Sequence, residues 1–167
     1  TARLLAEAIA PDERIAFLGD SITQAGNRPG GYVDLIRQVL ADERPDAVVI
    51  PAGISGHKVP DLLARFKKDV IDQDATLVFI YIGINDVWHS TSGKGTPPDV
   101  FERGLHTLIQ DLQASGATVV LATPNTIGEK PLGENDLDAM LEEFSAISRR
   151  VAKEENVTLC DLRLGFQ

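Results

Sequence analysis

Five short apolar runs separated by amphipathic helical stripes restrict this chain to one class of architecture. The runs lie at residues 15–18, 47–50, 77–82, 118–121 and 157–160. Between them, apolar residues recur at helical spacing: Tyr32, Leu35, Ile36, Val39 and Leu40, then Val59, Leu62, Leu63, Phe66 and Val70. Phe101, Leu105, Leu108, Ile109 and Leu112 form a third stripe, and Leu137, Met140, Leu141, Phe144, Ile147 and Val151 a fourth. A run that is apolar throughout, as 77–82 is, belongs to a strand covered on both faces. Strand–helix alternation of this kind predicts an α/β fold: a parallel sheet with helices on both faces. Right-handed crossovers then bring the segment after every strand to one rim.

The chain has 167 residues, a length that predicts a single domain over 1–167, and no linker or internal repeat interrupts it. Its formal net charge is −9, which argues against a nucleic-acid partner and against adsorption to anionic lipid, since both need a basic face. No run is long and apolar enough to span a membrane, and no signal-peptide pattern is visible. The chain begins at Thr1 rather than Met, so its compartment stays undecided. The single cysteine, Cys160, excludes an intrachain disulfide and reads as a small core residue.

Two strings on the rim carry the chemistry. Gly19-Asp20-Ser21-Ile22 follows the first run, and Gly83-Ile84-Asn85-Asp86 follows the third. Polar residues just past the carboxyl ends of parallel strands lie where open α/β sheets bind ligands. Ser21 offers a hydroxyl nucleophile, and its backbone N–H offers a donor to the oxyanion of a tetrahedral intermediate. Asn85 offers a side-chain amide for the same purpose. Gly53, in Pro51-Ala52-Gly53-Ile54-Ser55-Gly56, ends the second strand, where a glycine lets backbone approach a ligand and aim an N–H at it. Singly, each residue reads as a cap or turn residue. Together, on three successive strand ends, they predict acyl transfer at an ester. Asp20, Trp88 and His89 are expected to contact substrate. No metal-ligand cluster and no phosphate-cradling glycine loop appears, so neither metal nor cofactor is expected.

These strings resemble those of the SGNH hydrolases, the superfamily of GDSL esterases and lipases. Gly19-Asp20-Ser21-Ile22-Thr23 matches the first block, Gly53 the second-block glycine, and Gly83-Ile84-Asn85-Asp86 the third. The resemblance covers nearly the whole chain from Arg14. It implies a three-layer α/β/α sandwich resembling flavodoxin. It also implies Ser21 as nucleophile, with oxyanion donors from Ser21, Gly53 and Asn85. Pro51 departs from the asparagine that many members carry two residues before the second-block glycine. The family's last block, Asp-x-x-His after the fifth strand, has no match before Gln167, and the C-terminal segment carrying it is expected to be missing from this chain.

Three histidines are present. His106 falls within a helical stripe, His57 follows the second-block loop, and His89 closes Asp86-Val87-Trp88-His89. That last string has the literal Asp-x-x-His spacing in the wrong block, so a pocket wall beside Trp88 suits His89 better than a base. The sequence thus predicts a serine esterase for short acyl groups such as acetyl, acting on a small-molecule ester. The alternatives are a non-catalytic binding module that keeps the pocket without its base, and a flavodoxin-like domain using Asp20 and Asp86 as cation ligands.

Overall fold

Five parallel strands in the order β2-β1-β3-β4-β5 form the sheet: β1 (Arg14–Gly19), β2 (Val48–Gly53), β3 (Leu77–Tyr81), β4 (Thr118–Ala122) and β5 (Thr158–Cys160). The structure is a computed structural model that describes residues 9–10, 12–128, 130–131 and 133–166. The strand order is that of flavodoxin. β2 runs three residues past the expected 47–50 and includes Pro51, opposite Phe17. Proline has no N–H for a ladder, and an edge strand accommodates it by turning that position to the open side.

The helices are α1 (Ser21–Gly26), α2 (Tyr32–Glu43), α3 (Val59–Asp69), α4 (Ile84–Trp88), α5 (Pro98–Ala114), α6 (Asp138–Glu154) and α7 (Leu162–Gly165). The period-2 alternation of strand side chains sorts them into two cores. Ala16, Leu18, Val78, Ile80, Val119 and Leu121 face α3, α5 and α6, which contribute Leu62 and Phe66, Leu105 and Leu108, and Phe144 and Ile147. Ile15 and Phe17, with the half-buried Leu77 and Phe79, face α2 through Val33 and Leu40. The Phe17 ring meets Tyr32 edge-on at 5.8 Å. The result is the three-layer α/β/α sandwich. The second layer is the lighter one, and Leu77, Phe79, Val120 and Cys160 stay only half-buried.

Topology sets the site. From β1 the chain crosses to β2 on one side, then returns past β1 to β3 on the other. Segments leaving the carboxyl ends of β1 and β3 therefore diverge and open a crevice. Asp20 and Ser21 follow β1, and Gly83 to Asp86 follow β3.

Candidate active site

Ser21 stands at the mouth of that crevice because Gly19 allows it to. A Cβ on Gly19 would lie 2.3 Å from Thr23 Oγ1 and 2.5 Å from the Tyr81 carbonyl, so only glycine lets α1 start this close to β3. Asp20 is the N-cap of α1: its Oδ1 accepts from the Ile22 N–H at 2.9 Å. Ser21 is the first residue of the helix and is half-buried. The sequence reading assigns no helix to this segment, and the structure shows a single helical turn and a half. The helix is too short for periodicity to reveal it.

Asn85 enters from the other side of the crevice. Gly83, with φ of 122°, makes the turn out of β3 that starts α4. The Asn85 side chain is 4% exposed. Its Nδ2 donates to the His57 carbonyl at 3.0 Å and makes a longer contact of 3.4 Å with Asp20 Oδ2. The amide thus bridges the residue before Ser21 and the loop after β2. Next to it, Asp86 is fully buried, and its Oδ1 accepts from the Val59 N–H at 3.1 Å, tying α4 to the start of α3. Burial pushes the carboxyls of Asp20 and Asp86 up from 3.8 to about 6 each, against the hydrogen bonds from Ile22 and Val59.

The loop after β2 carries two glycines, of which the sequence reading chose Gly53 as the donor. Gly53 packs against α1: a Cβ there would lie 2.3 Å from the Gln24 nitrogen and 2.6 Å from the Thr23 carbonyl carbon. Its lack of a side chain serves the close approach of β2 and α1. Gly56 lies in the turn closed by the His57 N–H on the Ile54 carbonyl, with φ of +79° and open space around it. It directly precedes the carbonyl that holds Asn85. The signal for Gly56 was present as the second glycine of Gly-x-x-Gly, at the third position of a tight turn, where positive φ is required.

Of the remaining candidates, only His57 touches this cluster, through its carbonyl. His57 is engaged through Nδ1, which accepts from Arg65 Nε at 3.0 Å. His106 is paired with Glu155 at the far end of α6, toward the opposite edge of the sheet. Glu102, His106 and Glu154 place ligand atoms within 4.8 Å of one another on the α5–α6 face. Arg150 already occupies Glu102 through Nε and Nη2, at 2.9 and 2.7 Å. His89 ends α4 and is half-buried. Trp88 is 55% exposed and lines a depression of about 480 Å³ with Thr91, Ile127, Lys130, Asn135 and Asp136. That depression flanks the rim between α4 and the segment after β4. No helix among the described residues is long and apolar enough to cross a membrane.

Ser21 and the buried Asn85 thus follow β1 and β3 on either side of this topological switch point of an α/β/α sheet. The chain belongs to the GDSL-like lipase/acylhydrolase family, whose model matches residues 17–167. It is similar to an acetylxylan esterase of Geobacillus stearothermophilus, 31% identical over 95% of this chain and 80% of the relative. It is likewise 31% identical to esterase TesA of Pseudomonas aeruginosa, over 90% of this chain and 70% of that protein. Among solved structures it matches the acetyl xylan esterase AlAXEase with a TM-score of 0.88 and 41% identity, over 92% of this chain and 79% of the other. The family and these relatives make it a carboxylic ester hydrolase of the SGNH/GDSL type.

Proposed function

We propose that the chain hydrolyses short acyl esters, acetyl esters of sugars among them, through an acyl-enzyme on Ser21. Ser21 Oγ attacks the ester carbonyl carbon as its proton passes to a base. The carbonyl oxygen becomes an oxyanion, held by the Ser21 N–H, the Asn85 amide and an N–H of the loop after β2. Collapse expels the alcohol, and water then releases the acid by the same two steps. For the loop donor, the position of Gly56 beside the Asn85 anchor supports Gly56 over Gly53, whose surroundings are those of a packing residue. The family resemblance gives the base to the histidine of an Asp-x-x-His block. The engagement of His57 with Arg65 and of His106 with Glu155 gives neither that role.

One observation carries this reading: the Asn85 amide is oriented before substrate arrives. The His57 carbonyl holds one hydrogen at 3.0 Å, and the other rests on the weaker 3.4 Å contact with Asp20. That second hydrogen passes to an oxyanion with little reorganisation, which is where such sites gain most. The names of the relatives support acetylated xylan-type substrates, and the exposed Trp88 supports a sugar on the leaving-group side. The test is turnover of p-nitrophenyl acetate and of acetylated xylo-oligosaccharides, with fluorophosphonate labelling of the nucleophile. Labelling confined to Ser21 is the expected result. Labelling at another serine, or turnover unaffected by Ser21→Ala, overturns the reading.

A further inference from the structure

Two of the strand-end segments at the site, those after β1 and β2, converge on one guanidinium group, and the segment after β3 is tied to them through the Asn85 bond to the His57 carbonyl. Arg65 sits on α3, and its side chain is 12% exposed. Its Nη2 donates to the Gly19 carbonyl and to the Ala52 carbonyl, each at 2.9 Å. Its Nε donates to His57 Nδ1 at 3.0 Å, and its Nη1 to Asp69 Oδ2 at 2.8 Å. We propose that Arg65 is a positioning residue of the oxyanion hole, setting the relative placement of the Ser21, Gly56 and Asn85 donors. The inference rests on the esterase reading of the site.

The argument follows from the planarity of the peptide unit. Holding the Gly19 carbonyl fixes the peptide that leads into Asp20, the cap that starts α1 at Ser21. Holding the Ala52 carbonyl fixes the peptide that leads into Gly53 and the turn containing Gly56. Holding the His57 ring steadies the residue whose own carbonyl orients the Asn85 amide. Asp69 fixes the guanidinium in turn. Each contact alone is an ordinary hydrogen bond. Their convergence is what matters, because oxyanion donors act only when their mutual geometry is held against reorganisation. A planar fork with several donors suits this task, and a single ammonium does not. Arg65 does not reach the reacting atoms, so its effect is on kcat rather than on substrate affinity.

The experiment uses the complete protein, with Arg65→Met and Arg65→Lys assayed on p-nitrophenyl acetate beside melting temperatures. In Arg65→Met, kcat should fall by about 10–100-fold with KM little changed, and Arg65→Lys should recover only part of the loss. Combining Arg65→Met with Asn85→Ala should cost less than the product of the two single losses, because both act on one oxyanion. Losses that multiply fully, or kcat at the unmodified level in either single variant, would overturn the proposal. If Arg65→Met fails to fold, Arg65→Lys and its double with Asn85→Ala carry the same comparison. An unmodified protein with no Ser21-dependent turnover would defeat the esterase reading instead. Arg65 is then judged by the Asn85 side-chain amide resonances. Arg65→Lys should shift them if Arg65 sets the position of the loop, and unchanged resonances would reject that role.

Discussion

The side-chain amide of Asn85 donates to the backbone carbonyl of His57 at 3.0 Å, across 28 residues of chain. That bond joins the helix after β3 to the loop after β2, and it fixes the direction in which the second amide hydrogen points. In the proposed role, Asn85→Ala should lower kcat by roughly 10²–10³-fold with KM little changed. Steady-state kinetics on p-nitrophenyl acetate checks it. A normal kcat, or a variant that only loses stability, would leave Asn85 as a structural link between the two segments.

Ser21→Ala removes the proposed attacking atom while leaving the Asp20 cap of α1 in place. Turnover should fall by about 10⁶-fold, as for loss of a nucleophile in other serine hydrolases. The melting temperature should stay close to that of the unmodified protein. Active-site titration with a fluorophosphonate separates the two effects.

The two glycines of the loop after β2 should respond differently to alanine. At Gly53 the new Cβ meets the backbone of Thr23 and Gln24, and backbone cannot give way cheaply. Gly53→Ala should lower stability severely, seen as a large fall in the urea midpoint. At Gly56 the space is open but φ is +79°, so alanine costs about 1–2 kcal/mol through backbone strain. Gly56→Ala should therefore stay folded and lose activity through a displaced turn. Equal stability losses at both positions would contradict this assignment.

Asp20 and Asp86 make stability depend on pH. Burial raises each carboxyl from 3.8 to about 6. The folded protein keeps both protons up to about pH 6, whereas the unfolded chain releases them near 3.8. Their contribution is fully present below the unfolded value and is lost as pH rises through 6. At 1.36 kcal/mol per pH unit, each shift amounts to about 3 kcal/mol. Asp86→Asn keeps an acceptor for the Val59 N–H and cannot ionise, so it should flatten this portion of the profile and raise the melting temperature at pH 8. Urea unfolding at pH 4.5 and 8 measures it. A variant less stable than the parent at pH 8 would mean that the carboxylate is stabilising there.

Trp88 is more than half exposed, so Trp88→Ala should barely change the melting temperature. If its ring carries a sugar leaving group, KM for an acetylated oligosaccharide should rise by several-fold, while p-nitrophenyl acetate is affected less. An equal change for both substrates would place Trp88 outside the leaving-group side.

Much of this molecule was legible in its residue order. Continuous apolar runs such as 77–82 mark strands buried on both faces, and stripes such as Val59, Leu62 and Phe66 mark the helices that cover them. Both are local periodicities that the backbone geometry of each element imposes. Strand–helix alternation then implies parallel pairing, and parallel pairing puts Ser21 and Asn85 on one rim. What residue order does not hold is strand order, because pairing is decided by which faces bury best together, not by neighbours along the chain. The placement of β1 beside β3 opens the crevice between Ser21 and Asn85. The short helices α1 and α4 escaped notice because one or two turns carry no measurable period. The distinct duties of Gly53 and Gly56 depend on the approach of α1 and on the sign of φ, which tertiary packing alone sets. The same holds for Arg65, a residue unremarkable on a polar helix face until the fold brings Gly19, Ala52 and His57 within reach of its guanidinium.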